Sequence, residues 1–389
     1  MLISDSSDMD HFGYYRTGDL KFYSRLEAFE VSKRLNLGKV TWHFNDEVFS
    51  SYDWTVEPNE SLEELYRQRA QQLREKYDYL VLFFSGGADS TNILDTFIDN
   101  GIKLDELLSR VNYEGTGEKD NWMNGEIFNV AIPKGEEAKE KQPWLKHTVL
   151  DVVSDAMSLF KQSETKFNWI YEQNTYVGLN NYCQKILKES QKHWRDLTAA
   201  GKKIAFIHGL DKPRISGSDK GFYCYFDDAV DNAVSPAMQI ANEHSKGYFS
   251  ELFYWSPDAV KVVIKQAHVL KRVLKTIDVN SDWVSIGVPN SRVSSVRDKQ
   301  LFFLKLNAVH REIYPKWKKV GWQLKPMSFV MSPRDEFFHK LSSWEKEKEW
   351  WKMGVEHMWS VMPEELRRRP DEMLKGFRQI NSKYYFLGK

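Results

Sequence analysis

Residues Tyr79 to Phe84 read YLVLFF, six apolar side chains in succession, and they run directly into Ser85-Gly86-Gly87-Ala88-Asp89-Ser90. An apolar run with no polar interruption is the pattern of a strand buried on both faces. Beyond the small residues, Ile93, Leu94, Phe97 and Ile98 recur at helical spacing. Strand, two-glycine turn and helix N-terminus make a ready phosphate site. The glycines permit unusual backbone angles and close approach, while free N–H groups and the helix dipole favour negative charge. Ser85 and Ser90 add hydroxyl donors. Asp89 would repel a bare phosphate, so its presence implies either a bound divalent cation or a capping role. The plainer alternative is a structural glycine turn.

The GxxxxGK[ST] phosphate loop of kinases and GTPases does not occur in the chain. SGGADS instead resembles the pyrophosphate-binding SGGxDS loop of the PP-loop ATP pyrophosphatases, the superfamily of the asparagine, GMP and NAD synthetase domains. With SELFYWSPD and KQAH further on, the chain is also similar to PP-loop proteins encoded by bacteriophages. The resemblance covers about 150 residues, roughly Asp78 to Asp228. It implies cleavage of ATP between the α- and β-phosphates with Mg²⁺, through an adenylated acceptor that an amine or ammonia attacks. It implies a Rossmann-like (HUP-type) α/β fold whose parallel sheet has the strand order 3-2-1-4-5. Ser85, Gly86, Gly87, Ala88, Asp89 and Ser90 would then hold pyrophosphate and metal.

The remaining strands follow from the pattern. Leu107–Tyr113, His147–Val153 and Lys203–Ile207 read as strands two to four, alternating with helical stretches, including a long one over roughly Asn168–Leu197. Gly221–Asp228 is strand-like and Tyr248–Trp255 is a further aromatic strand. In the implied order strands one and four are neighbours at the switch point, where open α/β sheets bind ligands. That sets His208-Gly209-Leu210-Asp211-Lys212-Pro213-Arg214 opposite the glycine loop. Lys212 and Arg214 suit the charge that develops on pyrophosphate and phosphorus. Asp211 would share Mg²⁺ with Asp89, and His208 and Gly209 would border the nucleotide. The end of strand two, Val111-Asn112-Tyr113, is where similar enzymes hold adenine through backbone groups. A plain surface turn and an ordinary strand end are the alternatives at these two places. Asp227 and Asp228 read either as a metal or amine site or as a solvated turn.

Lys and Arg number 55, matched by 55 Asp and Glu, so overall charge names no partner. The distribution is uneven. Met1–Ala70 carries eight basic against 13 acidic residues, and Lys261–Val330 carries 14 against four. After Ser256-Pro257-Asp258, a strong helix start, Val260, Val263, Ile264, Ala267, Leu270 and Leu274 share one face. Lys261, Lys265, His268, Arg272 and Lys275 fall on another, a stripe that would track nucleic-acid phosphates or simply face water. Cys183 and Cys224 exclude a disulfide scaffold and a Cys-rich zinc site. They read as core residues rather than the pair a thiotransferase needs. The sequence lacks a signal peptide and a membrane span, so a cytosolic protein is expected.

The expected organisation is an N-terminal α+β segment over residues 1–75, the PP-loop domain over 76–255, and a mainly helical accessory domain over 256–389. In the first, Ser61 and Glu64 form a capping box opening a helix to about Lys76. In the last, Trp317, Trp344, Trp350 and Trp359 interleave with charged residues. A nucleic-acid-modifying enzyme and a nucleotide-binding module without turnover are the competing readings.

Overall fold

The computed structural model describes residues 7–111, 125–151, 170–171, 191–210, 212–218, 220–228, 247–276, 285–286, 309–317, 345–367 and 377–389. The chain opens with β1 (Tyr14–Thr17), β2 (Leu20–Phe22), α1 (Arg25–Leu35), β3 (Thr41–His43), α2 (Asp46–Ser50) and α3 (Leu62–Lys76). The central unit follows: β4 (Tyr79–Phe83), α4 (Ala88–Asp99), β5 (Glu106–Val111), α5 (Ile132–Lys141), β6 (Lys146–Asp151), α6 (Lys192–Ala199) and β7 (Ile204–His208). Then come β8 (Arg214–Ser218), β9 (Gly221–Tyr225), β10 (Tyr248–Leu252), α7 (Val260–Thr276), β11 (Ser285–Ile286), α8 (Glu345–Val361) and β12 (Tyr385–Phe386).

Five strands form a parallel sheet in the order β10-β7-β4-β5-β6. The chain moves outward from β4 through β5 to β6, then returns to the other side of β4 with β7. A switch point therefore lies between β4 and β7. Leu80, Val81 and Leu82 are fully buried, which is why the β4 run has no polar residue. Leu80 and Leu82 join the large core with Ile93, Leu94 and Phe97 of α4. Val81 points the other way and packs with Leu108, Trp194, Ile204 and Phe206.

Smaller antiparallel sheets flank this one, β2-β1-β3 and β11-β8-β9-β12. The second ties the C-terminal end of the chain to β9, with which β12 pairs. Tyr15 Oη donates to the Asp228 carboxylate at 2.9 Å, and Tyr66 Oη to the Ile313 carbonyl at 2.7 Å. The Ser61 capping box is present, with Glu64 N on Ser61 Oγ at 3.1 Å and Ser61 N on Glu64 Oε2 at 3.4 Å. All six apolar positions named on α7 are buried. No helix among the described residues is long and apolar enough to cross a membrane.

Several boundaries differ from expectation. α4 begins at Ala88, so Ala88, Asp89 and Ser90 are its first turn and the connecting loop is short. β10 ends at Leu252, and Phe253, Tyr254 and Trp255 turn inward with no exposed surface. β8 was not expected. Its Ser216-Gly217-Ser218 has little intrinsic strand preference, but β9 pairs with it along its length, and packing overrides propensity. Gly221 makes that hairpin possible: its φ is +126°, and a Cβ there would lie 2.8 Å from the Phe386 ring. Of the long helix expected over Asn168–Leu197, α6 and residues 170–171 are described and the rest lies outside the described residues.

Candidate phosphate and metal site

β4 ends at the switch point and delivers Ser85-Gly86-Gly87 to the start of α4. Gly86 has φ +76°, and a Cβ there would sit 2.8 Å from the Ala131 amide nitrogen, so both the turn and the close approach require glycine. Gly87 is the N-cap and supplies no side chain. Ser85 Oγ accepts from Gly87 N at 3.3 Å, Ser90 Oγ donates to Gly87 O at 3.3 Å, and the two hydroxyls are 3.5 Å apart. The helix ladder begins with Thr91 N on Gly87 O at 2.9 Å. The amides of Ala88, Asp89 and Ser90 thus precede the ladder and point toward the N-terminal mouth of α4. The turn is anchored from beneath by Ser109 Oγ, which donates to Phe84 O at 2.6 Å. The same hydroxyl lies 2.9 Å from His147 Nε2. Because that hydroxyl donates to Phe84, the imidazole must be the donor to it. Burial pushes His147 down to about 4, so it is neutral at physiological pH.

The second loop arrives from β7. His208 stacks on Phe83, ring centroids 4.5 Å apart. A Cβ on Gly209 would be 3.1 Å from Ile93 Cδ1 and 3.3 Å from Ser90 N, so this backbone lies directly on the start of α4. Lys212 then places its ammonium 2.6 Å from Asp89 Oδ1. Its side chain is 8% exposed, and that of Asp89 is 31% exposed. The loops after β4 and β7 therefore meet, and the contact is an ion pair.

Other candidates sit differently. Arg214 is buried at the start of β8, with Nε 2.7 Å from Asp227 Oδ2 and its guanidinium 5.8 Å from the centre of the Trp255 ring. Asp227 and Asp228 are not on a solvated turn: both are buried. Asp228 receives Tyr15 Oη at 2.9 Å, Arg25 Nη1 at 3.2 Å and the Ile380 amide at 2.9 Å. Val111 is the buried end of β5, while Asn112, Tyr113 and Asp211 lie outside the described residues. Lys261 pairs with Glu60 at 2.5 Å, and Lys265 and Arg272 pair with Glu57 at 2.9 and 2.5 Å. Lys275 donates to the Lys389 carbonyl at 3.2 Å, and His268 bonds the Trp54 carbonyl at 2.9 Å. The Cys224 thiol is fully buried and pushed up by that burial, while Cys183 lies outside the described residues.

Two tyrosines at the site carry no local sequence signal. Tyr314 Oη donates to Asp89 Oδ1, and Tyr254 Oη donates to the Asp89 carbonyl at 2.9 Å. Asn92 Nδ2 donates to Tyr254 Oη at 2.9 Å. Burial, with the Asp89 charge adding to it, raises both phenols well above their ordinary range, so both remain donors. In sequence Tyr254 is one of five aromatic residues in the strand-like run Tyr248–Trp255, and Tyr314 sits in the basic stretch, where charge draws the attention.

Among the described residues no group of three or more His, Cys, Asp or Glu could hold a metal ion. Asp89 can still serve as a single oxygen ligand. Both of its named donors use Oδ1, which leaves Oδ2 on a side chain that is one-third exposed. That suits Mg²⁺, which keeps several waters and takes its other ligands from substrate phosphates.

No family model and no curated protein matches the chain. Among solved structures, the NAD+ synthetase of Burkholderia pseudomallei aligns over 81% of this chain and 95% of its own, with 9% identity and a TM-score of 0.25. A likeness of that size carries no argument about fold or activity.

Proposed function

We infer that the protein is an ATP-using enzyme of the PP-loop type, which forms AMP and pyrophosphate while activating an acceptor oxygen for attack by an amine or ammonia. The observation that carries this reading is the meeting of Lys212 with Asp89 across the switch point. Two loops distant in sequence bring a cation, a carboxylate, two hydroxyls and a free helix N-terminus to one place.

The roles follow from chemistry. The amides of α4 and the hydroxyls of Ser85 and Ser90 would bind phosphate oxygens. Lys212 is a compact charge suited to the pyrophosphate that departs. Asp89 would hold Mg²⁺, with Asp211 as its proposed partner, and the metal would supply neutralisation of phosphate charge. Adenine would lie at the end of β5, toward Val111, Asn112 and Tyr113. The Asp227 contact of Arg214 gives that residue a supporting part in the loop that carries Lys212. The acceptor would be defined by chain outside the parallel sheet.

Products from ATP labelled in the α-phosphate, incubated with Mg²⁺ and pools of carboxylate, amide and tRNA acceptors together with ammonia or amino acids, test this. Release of AMP with stoichiometric pyrophosphate is expected. Formation of ADP, or no turnover with any pool, contradicts it and favours a binding module.

A further inference from the structure

Asp89 is gripped from two directions. Lys212 comes from the loop after β7. Tyr314 comes from a short helical turn 225 positions further along the chain. That turn is seated by Tyr66, whose hydroxyl donates to the Ile313 carbonyl at 2.7 Å and accepts from Gln266 Nε2 at 2.8 Å. Tyr66 stands edge-on to Tyr254 at 5.6 Å, and Tyr254 lies 5.8 Å from the Tyr314 ring. Three buried rings thus form a wall on one side of the carboxylate.

We propose that Tyr314 is a positioning residue for a divalent cation at Asp89, an inference that rests on the reading of the loop as an ATP site. Lys212 and Tyr314 both donate to Oδ1. A triphosphate entering the loop competes for one of these donors, the flexible ammonium. Tyr314 cannot follow a phosphate without leaving the ring wall, so it keeps Oδ1 engaged and Oδ2 turned outward. Asp89 then offers one fixed oxygen to a hard cation that the phosphates also bind. With the hydroxyl gone, the departing ammonium would leave Oδ1 without a donor and the carboxylate free to rotate. The phosphates themselves would lose nothing, because they are held by backbone amides, Ser85 and Ser90. Tyr314 also gives the C-terminal part of the chain a direct hold on metal binding at the loop.

Tyr314→Phe keeps the ring and removes the donor. Calorimetry with a non-hydrolysable ATP analogue, in Mg²⁺ and again in EDTA, separates metal-dependent from metal-independent binding. The wild type is expected to bind more tightly with Mg²⁺. Tyr314→Phe should keep the EDTA affinity and lose about tenfold of the Mg²⁺ increment, the scale of one hydrogen bond to a charged group. An unchanged increment, or equal weakening in both conditions, overturns the proposal. A wild type that binds the analogue in neither condition overturns the ATP reading beneath it. Should Tyr314→Phe not fold, Asp89→Asn carries the test: it should abolish the increment while EDTA binding stays equal or tightens, since a charge that repels bare phosphate is gone, and an increment that survives refutes the metal role.

Discussion

Asp89 and Asp228 are each met by a cation and a tyrosine, one by Lys212 and Tyr314, the other by Arg25 and Tyr15. The geometry around them differs in one respect. Asp228 has no exposed surface, and both oxygens are taken: Oδ2 by Tyr15 and Arg25, Oδ1 by the Ile380 amide. Burial raises its carboxyl, and the Arg25 charge opposes that rise. Asp89 collects both donors on one oxygen and keeps the other on a side chain that is itself one-third exposed. The first arrangement has no capacity left and fastens β1, α1, the segment that follows β9 and the C-terminal segment together. The second has a free oxygen, a cation that can be exchanged and an adjacent helix N-terminus. Similar residue types therefore form a fastening in one place and, in the function proposed above, a binding site in the other, and the accounting of partners separates the two.

Removing Asp228 should break the comparison most forcefully. Asp228→Ala leaves the fully buried Arg25 without its carboxylate, a loss of about 3–5 kcal/mol of stability. A denaturation midpoint equal to that of the wild type would show that the cluster fastens nothing. Lys212→Ala should lower kcat by roughly 10²- to 10³-fold, the scale of losing one stabilising donor. ATP affinity should change less, since the contact matters most to transition-state charge. Lys212→Arg should restore little, because a planar fork does not replace a point charge. Steady-state kinetics that show a change in KM alone would assign Lys212 to ground-state binding.

The smallest effect concerns the support beneath the loop. The His147 pKa is depressed to about 4 in the folded chain from an ordinary value near 6.5. Between those values the unfolded chain binds the extra proton, so stability is complete above the upper one and falls as pH drops toward the lower. Discounted for partial exposure, the loss is about 2 kcal/mol. Denaturant midpoints across that range should slope accordingly, and His147→Gln should flatten the slope. An equal slope in the variant would place the titration elsewhere.

What was legible in the sequence follows the range of the interactions. The Tyr79–Phe84 run reads as a buried strand because burial on both faces removes polar residues locally. The turn and helix start at SGGADS are legible because the residues that make them are contiguous. Lys212 was reachable through the strand order that the resemblance implies, which sets β7 beside β4, where the structure has it. Tyr254 and Tyr314 were not, since they reach Asp89 across 165 and 225 positions and nothing near them in sequence marks the destination. β8 escaped for a related reason, its Ser-Gly-Ser being a strand only against β9. Of the two aspartates that follow β9, Asp228 looked like part of a turn because its partners, Tyr15, Arg25 and Ile380, lie far away in the chain.

In the function proposed above, the Ser85–Ser90 turn, and not the saturated carboxylate cluster, receives the phosphates. A crystal structure of the wild-type protein with α,β-methylene-ATP and Mg²⁺ tests this most directly. The β- and γ-phosphates are expected at the mouth of α4, in hydrogen-bond contact with Ser85, Ser90 and the Gly87–Asp89 backbone. Lys212 should have moved from Asp89 onto a phosphate oxygen, with Mg²⁺ on Asp89 Oδ2. Phosphates bound elsewhere, or a Lys212–Asp89 pair unchanged beneath a bound nucleotide, would contradict it.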